Sequence, residues 1–380
     1  MNQYYHPYRR SDGDNDKRRS LWSAVLDIVM WAVTAVVLMA MIIIMIGRVV
    51  SPGRMWYFSL LGLAAPMVYI AVVLSMLYWI IRWRWTAVFV TGIFVITGLF
   101  YAPLYYKLDV KKQYGEPSYD RSSIKILTFN VRYFYDDSRA STIDSVVRMV
   151  QRLNPDIVCF QEYAIDNALR NKIAARMKGY NSAGERLDNR PAMMECFSKY
   201  RIVDARQIDS LSGSARAMCV DLLINDDTVR VYNAHLQTTS VSPNDNEYIS
   251  HGQFIADSTR ERRFVQIARG LRTNNELRAG QAERLHDDIA SSPYPVVLCG
   301  DFNDVPVSYA TRTASKGLDD TFSRQGHMYA HTFRGFFNTL RIDYIFVSPD
   351  FEALSYEVLP TGDTSDHYPV FVRVKQTPKQ

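Results

Sequence analysis

The chain divides by its apolar pattern. Residues 28–47, 55–81 and 85–106 form three stretches without a single charged side chain, each long enough to cross the roughly 30 Å of hydrocarbon in a bilayer. After them the pattern changes to short apolar runs separated by polar, Gly- and Pro-containing segments. Residues 114–123 read as a linker, and from Ile124 onward strand and helix patterns alternate. Strands are expected over 124–129, 157–160, 220–224, 229–234, 296–299 and 342–347, and helices over about 142–153, 166–177 and 259–289. The mixture predicts an α/β domain of layered sheets and helices. The run Val296-Val297-Leu298-Cys299 is apolar without alternation, which predicts a strand covered on both faces whose following residues emerge at the rim of a core. A Ser-, Asn- and Asp-rich insertion at 238–258 reads as a surface loop.

The implied organisation is a basic tail (1–20), three transmembrane helices (21–106), a linker (107–123) and a catalytic domain (124–380). All six tryptophans, Trp22, Trp31, Trp56, Trp79, Trp83 and Trp85, fall in the membrane part, most near an expected span edge. The first span is too long for a signal peptide and no small-residue cleavage site follows Met45, so it is read as an anchor. Arg9, Arg10, Lys17, Arg18, Arg19, Arg82 and Arg84 lie on one side of the expected membrane, and Arg48, Arg54, Lys107, Lys111, Lys112 and Arg121 on the other. The near balance leaves the first span to set orientation. It points to an inside N-terminus, an exported soluble domain and a multi-pass protein of a bacterial inner membrane. Asp27 is the only acid near a span, which argues against transport as the sole function.

Charge sharpens the picture regionally. The net +5 resides entirely in residues 1–106, while the remaining 35 basic and 35 acidic residues cancel. A balanced domain lacks the basic excess of a non-specific nucleic-acid binder, so nucleic acid is not favoured as a partner. Cys159, Cys196, Cys219 and Cys299 have no close-paired metal spacing and read as small core residues.

Candidate chemistry collects at the ends of successive strands: Asn130, Glu162, His235, Asp301 with Asn303, and Asp366-His367. Taken singly, each has an ordinary explanation as a turn former, a helix-start charge or a satisfied strand histidine. Together they are oxygen donors without cysteine or a close histidine pair, which suits Mg²⁺ or Mn²⁺ far better than zinc. An acid and an amide around such a cation, with two histidines nearby, suit attack of an activated water on a phosphate ester.

The order of the motifs carries more. Phe129-Asn130-Val131, Gln161-Glu162, Asn233-Ala234-His235-Leu236, Gly300-Asp301-Phe302-Asn303, Arg341-Ile342-Asp343-Tyr344 and Ser365-Asp366-His367-Tyr368-Pro369 closely resemble the endonuclease/exonuclease/phosphatase superfamily, in its DNase I-like and sphingomyelinase-like branches. Phe197-Ser198-Lys199-Tyr200 resembles a structural turn of that family. The resemblance covers roughly 124–374 and implies a four-layer sandwich of two mixed β-sheets flanked by helices, here preceded by three transmembrane helices. It implies metal ligation by Glu162, Asn130 and Asp366, and water activation by Asp301. Asn303 and His235 would hold phosphate, and His367 would face it, oriented by Asp343. Arg132 stands where the base-excision-repair branch carries an acid, and His235 where that branch carries a tyrosine, which argues against abasic-site repair. Arg132 is a candidate for binding the substrate phosphate.

The expectation is a membrane-anchored, Mg²⁺-dependent hydrolase of phosphate esters acting on nucleic acid, a phospholipid headgroup or a small ester. The sequence names no protein partner. A catalytically silent, membrane-tethered binding module of the same fold is the alternative. Loss of a matched polar residue would favour it, and none of the principal ones is missing.

Overall fold

The computed structural model describes residues 13–108, 123–184, 192–208, 211–239, 260–335 and 338–377. Most of the linker, the start of the basic tail and all but the first two residues of the 238–258 insertion lie outside the described residues. The chain forms two compact units: Met1–Ile43 with Ala64–Gly98, and Ile44–Leu63 with Leu99–Gln380.

Helices α1 (Gly13–Gly47), α4 (Ala65–Ile81) and α5 (Trp85–Tyr101) supply the first unit. Three segments, Leu21–Gly47, Tyr57–Ile81 and Trp85–Leu104, are long and apolar enough to cross a membrane. The second is not one helix: α2 (Pro52–Met55), α3 (Tyr57–Leu60) and a 3₁₀ turn precede α4, because Pro66 can occupy only the first turn of a helix. Trp79 is fully buried, lies 4.5 Å from Trp31 with the rings tilted by 39°, and donates to Thr34 Oγ1 at 2.9 Å, so it packs between helices. Asp27 accepts from Arg82 Nε and Tyr78 Oη, both at 2.7 Å.

The second unit holds two six-stranded sheets and a short two-stranded sheet of β1 (Tyr106–Lys107) with β11 (Met328–Tyr329). The first sheet is built from β2 (Ile124–Asn130), β3 (Ile157–Ala164), β4 (Asn181–Gly184), β5 (Ala192–Ser198), β13 (Phe351–Val358) and β14 (Val370–Gln376). Its order is β13-β14-β2-β3-β5-β4, with only β2 and β3 parallel. The second is built from β6 (Arg201–Gln207), β7 (Arg216–Ile224), β8 (Asp227–His235), β9 (Val296–Asp301), β10 (Asp319–Asp320) and β12 (Asp343–Val347). Its order is β10-β12-β9-β8-β7-β6, with β8 and β9 parallel. Each parallel pair is joined through a helix, as parallel pairing requires: α6 (Ile143–Leu153) in one sheet and α8 (Arg260–Ala290) in the other.

Alternation along the strands sorts side chains into layers. Ile124, Ile126, Ile157, Cys159, Val229, Val231, Val297, Cys299, Ile345 and Val347 meet between the sheets in one core. Leu127, Phe129, Val158 and Phe160 face outward onto α6 and α7 (Asn167–Ala174). Tyr232, Leu298, Phe302, Tyr344 and Phe346 face α8 and α9 (Tyr309–Ala314). The result is helix, sheet, sheet, helix, the expected four-layer sandwich of mixed sheets, with all four cysteines buried and free. The resembling turn lies between β5 and β6, where Ser198 Oγ accepts the Tyr200 amide at 3.0 Å.

Candidate functional site

The inner faces change character along their length. Past the apolar core comes a polar layer: Gln161 Nε2 donates to Thr128 Oγ1 at 3.0 Å and, across the sheets, to Asn233 Oδ1 at 2.7 Å. Asn233 Nδ2 donates to the Phe160 carbonyl at 3.0 Å. These buried groups tie β3 to β8 with nearly full hydrogen bonding, which is what makes a polar layer inside a core tolerable. One pleat further on, the same inward positions are Asn130, His235, Asp301 and Asp343. Strand register places His235 beside Asp301 and Asp301 beside Asp343. The candidate site is therefore the polar end of the inter-sheet core.

Its geometry is compact. Asn130 Nδ2 donates to Asp301 Oδ2 at 3.0 Å and to Glu162 Oε1 at 3.3 Å. The Asn303 amide donates to Asp301 Oδ1 at 2.8 Å, so both oxygens of Asp301 are held. His235 Nε2 lies 3.6 Å from both Glu162 Oε1 and Asp301 Oδ2. His367 Nε2 lies 3.6 Å from Asp301 Oδ2, while its Nδ1 meets Asp343 Oδ2 at 2.9 Å. Burial disfavours the charged imidazole of His367, but Asp343 and Asp301 outweigh it and raise it to about 10. Burial likewise raises the Asp343 carboxyl to about 6, with His367 opposing and Asp301 adding to the rise.

Local backbone explains how two of these side chains are aimed. Glu162 was expected after a strand ending at 160, but β3 runs on to Ala164 and Glu162 sits inside it, where alternation would turn it away from Gln161's face. A register shift between Gln161 and Ala164, with Glu162 at φ 47°, returns it to Asn130. Asn303 adopts φ 52°, and its side chain donates to the Leu236 carbonyl at 3.2 Å. Left-handed conformations of this kind cost of order 1 kcal/mol or more and persist where surroundings impose them. Gly300 has φ 142°, and a Cβ there would lie 1.9 Å from the Ala234 carbonyl oxygen, so only glycine permits the β8–β9 approach that brings His235 beside Asp301.

Arg132 and Asp366 stand apart from this cluster. Arg132 pairs with Asp137 and is partly exposed, and the neighbouring charges of Asp137, Asp366 and Glu162 raise its already high value. Asp366 accepts from Ser365 Oγ at 3.3 Å and, among the described residues, makes no bond to Glu162 or Asn130. Sequence reasoning assigned no role to Ser365, Thr332, Arg278 or Thr239. Ser365 Oγ donates to the Asn130 carbonyl at 2.8 Å and accepts from the His367 amide at 3.1 Å, linking the two sheets' contributions. Thr332 Oγ1 accepts the Ile342 and Asp343 amides. Arg278, almost wholly buried, donates to the Gln237 carbonyl, Thr239 Oγ1 and Asp304 Oδ2, and Thr239 Oγ1 in turn donates to the Asn303 carbonyl. Ser365 lay inside a quoted motif. The other three carry no local signal, because their partners are distant in sequence.

The donor set fits a hard divalent cation. Among the described residues, both ring nitrogens of His235 and one oxygen of Asp343 are buried without a hydrogen-bond partner, which marks a polar gap beside Glu162 and Asp301. Asp301, Asp343 and His367 have ligand atoms within 4.8 Å of one another. Since Asp343 and His367 already bond to each other, that trio reads better as an acid–imidazole pair facing Asp301 than as a cage. Glu162, partly open, and the buried Asn130 beside it could offer oxygen donors to such a cation.

Two six-stranded sheets sharing one polar, acid- and imidazole-bearing edge define an α/β sandwich with a hydrolase-type site. Residues 127–367, more than half of the chain, match the Endonuclease/Exonuclease/phosphatase family. The chain belongs to that family. Residues 27–104 match a domain of unknown function. No curated protein sequence matches the chain. Among solved structures, an endonuclease/exonuclease/phosphatase from Bacteroides vulgatus is 19% identical with a TM-score of 0.51, covering 67% of this chain and 99% of that one. A humanized D. rerio TDP2 carrying 14 mutations is 15% identical with a TM-score of 0.50, covering 67% of this chain and 100% of that one. At such identities these likenesses show the fold.

Proposed function

We propose that the chain is a divalent-metal-dependent phosphoesterase held at a membrane by three N-terminal helices. The observation that carries this reading is the convergence on Asp301 of Asn130 from one sheet at 3.0 Å and His235 and His367 at 3.6 Å each. Glu162 and Asn130 would hold Mg²⁺ or Mn²⁺, and the cation would neutralise phosphate charge and stabilise the leaving oxygen.

The remaining steps fall to side chains. Asp301, its oxygens fixed by Asn130 and the Asn303 amide, is placed to accept a proton from the attacking water. His367, kept protonated by Asp343, presents Nε2–H toward a phosphate oxygen, as an imidazole does when an acid holds its other nitrogen. His235 Nε2 would supply a second contact and the Asn303 side-chain amide a third, as donors to developing charge. Arg132 sits at the rim, where a guanidinium can grip a second phosphate oxygen. The even charge balance of the soluble domain favours a phosphate ester presented at the bilayer over a long polyanion.

Hydrolysis of a generic phosphodiester, single- and double-stranded DNA, RNA, sphingomyelin and phosphoinositides, with Mg²⁺ or chelator, tests the reading. Activity that requires the metal and is lost in Asn303→Ala supports it. Equal activity of wild type and variant, or none from either, rejects it and favours the silent binding module. Protease accessibility of the soluble domain in intact cells tests the exported orientation.

A further inference from the structure

A second polar cavity of about 420 Å³ lies away from the hydrolytic site, lined among others by Arg48, Leu104, Arg312, Lys316, Asp320 and Arg324. Two of these residues mark its place along the chain. Arg48 directly follows the apolar segment Leu21–Gly47, and Leu104 closes the segment Trp85–Leu104. Where those segments cross a bilayer, the residues at their ends lie at its headgroup layer.

The charges in the cavity do not balance. Asp320 is engaged by Arg341, with the two guanidinium nitrogens at 3.1 and 2.7 Å from its oxygens. Asp319, also in the lining, pairs with Arg324 at 2.6 Å. Among the described residues Arg48 makes no ion pair: it donates to the Pro306 carbonyl at 2.9 Å and lies over the Tyr101 ring at 5.4 Å. Among the described residues, Arg312 and Lys316 make no ion pair. Burial, and then the charge of Arg312, push the Arg48 guanidinium below its ordinary value, with Tyr101 opposing. Arg48 is partly buried, and Arg312 and Lys316 beside it are solvent-exposed and unpaired, so the cavity offers two guanidinium groups and an ammonium to an entering anion, and a phosphate is an anion whose geometry suits guanidinium donors.

We propose that this cavity binds the phosphate of an anionic lipid headgroup, between the membrane-exit ends of the first and third apolar helices. A basic cavity at helix ends is physically suited to hold an anionic headgroup on whichever side of the bilayer it lies. The site shares with the proposed function only the membrane placement of the helices and is independent of hydrolysis.

The test uses the full chain in bilayer discs, with thermal stability and lipid association read as phosphatidylglycerol replaces phosphatidylcholine, and with inorganic phosphate in a separate arm. Failure to enter discs would reject the membrane placement and this site with it. For incorporated protein, phosphatidylglycerol should stabilise the chain, and added salt should weaken the effect. Arg312→Ala/Lys316→Ala, two exposed positions, should weaken the lipid response by about twenty-fivefold, from roughly fivefold per charge near a headgroup. Arg54→Ala, outside the cavity, should leave it unchanged. An equal response of the double variant and wild type, or saturation by inorganic phosphate without lipid, overturns the proposal.

Discussion

Asp343→Asn removes one charge from the site and almost none of its shape, which makes it the sharpest probe of the proposed acid–imidazole pair. With His367 at about 10 and Asp343 at about 6, the folded protein carries both charges across the neutral range. For His367 the folded value exceeds the unfolded one. Its proton therefore stabilises the fold fully below about pH 6.5 and progressively less as pH rises toward the folded value, by at most about 5 kcal/mol. For Asp343 a raised carboxyl acts the other way: its ionisation costs stability, by at most about 3 kcal/mol, a cost absent below about pH 4 and complete above its folded value. Near neutrality the two nearly cancel, leaving a net of about 1–2 kcal/mol, so stability at pH 7 is a poor readout. The alkaline limb is the good one. Without Asp343, burial at His367 is opposed only by Asp301 and, less strongly, Asp366, so the variant should lose much of the decline in stability that wild type shows from about pH 6.5 upward. Its kcat for a phosphodiester at neutral pH should fall roughly 10²–10⁴-fold, the range for a displaced acid–base group, with KM changing far less. Chemical denaturation at several pH values and steady-state kinetics read the two effects. Parallel alkaline limbs, or kcat within about threefold of wild type, would refute the pairing as the source of His367's charge and role.

Four further perturbations test separate parts of the account. Gly300→Ala places a Cβ 1.9 Å from the Ala234 carbonyl oxygen and should destabilise the domain by about 3 kcal/mol or more, and an unchanged melting midpoint would contradict the close approach. Glu162→Gln should raise the Mg²⁺ or Mn²⁺ concentration for half-maximal activity by at least about tenfold, and an identical metal titration would remove Glu162 from the ligand set. Asp304→Asn leaves the buried Arg278 without its carboxylate; because Arg278 keeps its bonds to Gln237 and Thr239, the loss should sit near the lower end of the usual range, about 3 kcal/mol, and a loss within measurement error would show that the ion pair is not what stabilises this corner. Arg132→Ala should raise KM by about tenfold with kcat nearly intact if the guanidinium only binds phosphate, whereas a fall in kcat alone would place it in the chemistry.

How far the sequence revealed this site depends on which physical signal each residue carries. Asn130, His235 and Asp301 were legible because each follows an apolar strand run, where a polar residue emerges at the rim of a core, and Asp343 was legible only through the order of the motifs. The inward sequence Val297, Cys299, Asp301 is one face of one strand, and its change of character marks a rim. That His235, Asp301 and Asp343 stand side by side was not legible, since it requires the β8–β9 and β9–β12 registers. Those pairings are decided by burial across the whole sheet and not by any local pattern. Glu162 was recognised as a motif but misplaced as a strand end, because a bulge leaves the composition of a strand unchanged while reversing the direction of one side chain. Edge strands were missed for a related reason: Arg201–Gln207 is almost entirely exposed and shows no apolar face to read. Val370–Gln376 is different, because Val370, Val372 and Val374 alternate cleanly and pack into the inter-sheet core, so the signal was present in the sequence. The supports of the site, Thr332, Thr239 and Arg278, are the least legible of all. Each meets hydrogen-bonding groups brought to it from other elements, and those groups stand beside it only once the sheets have closed.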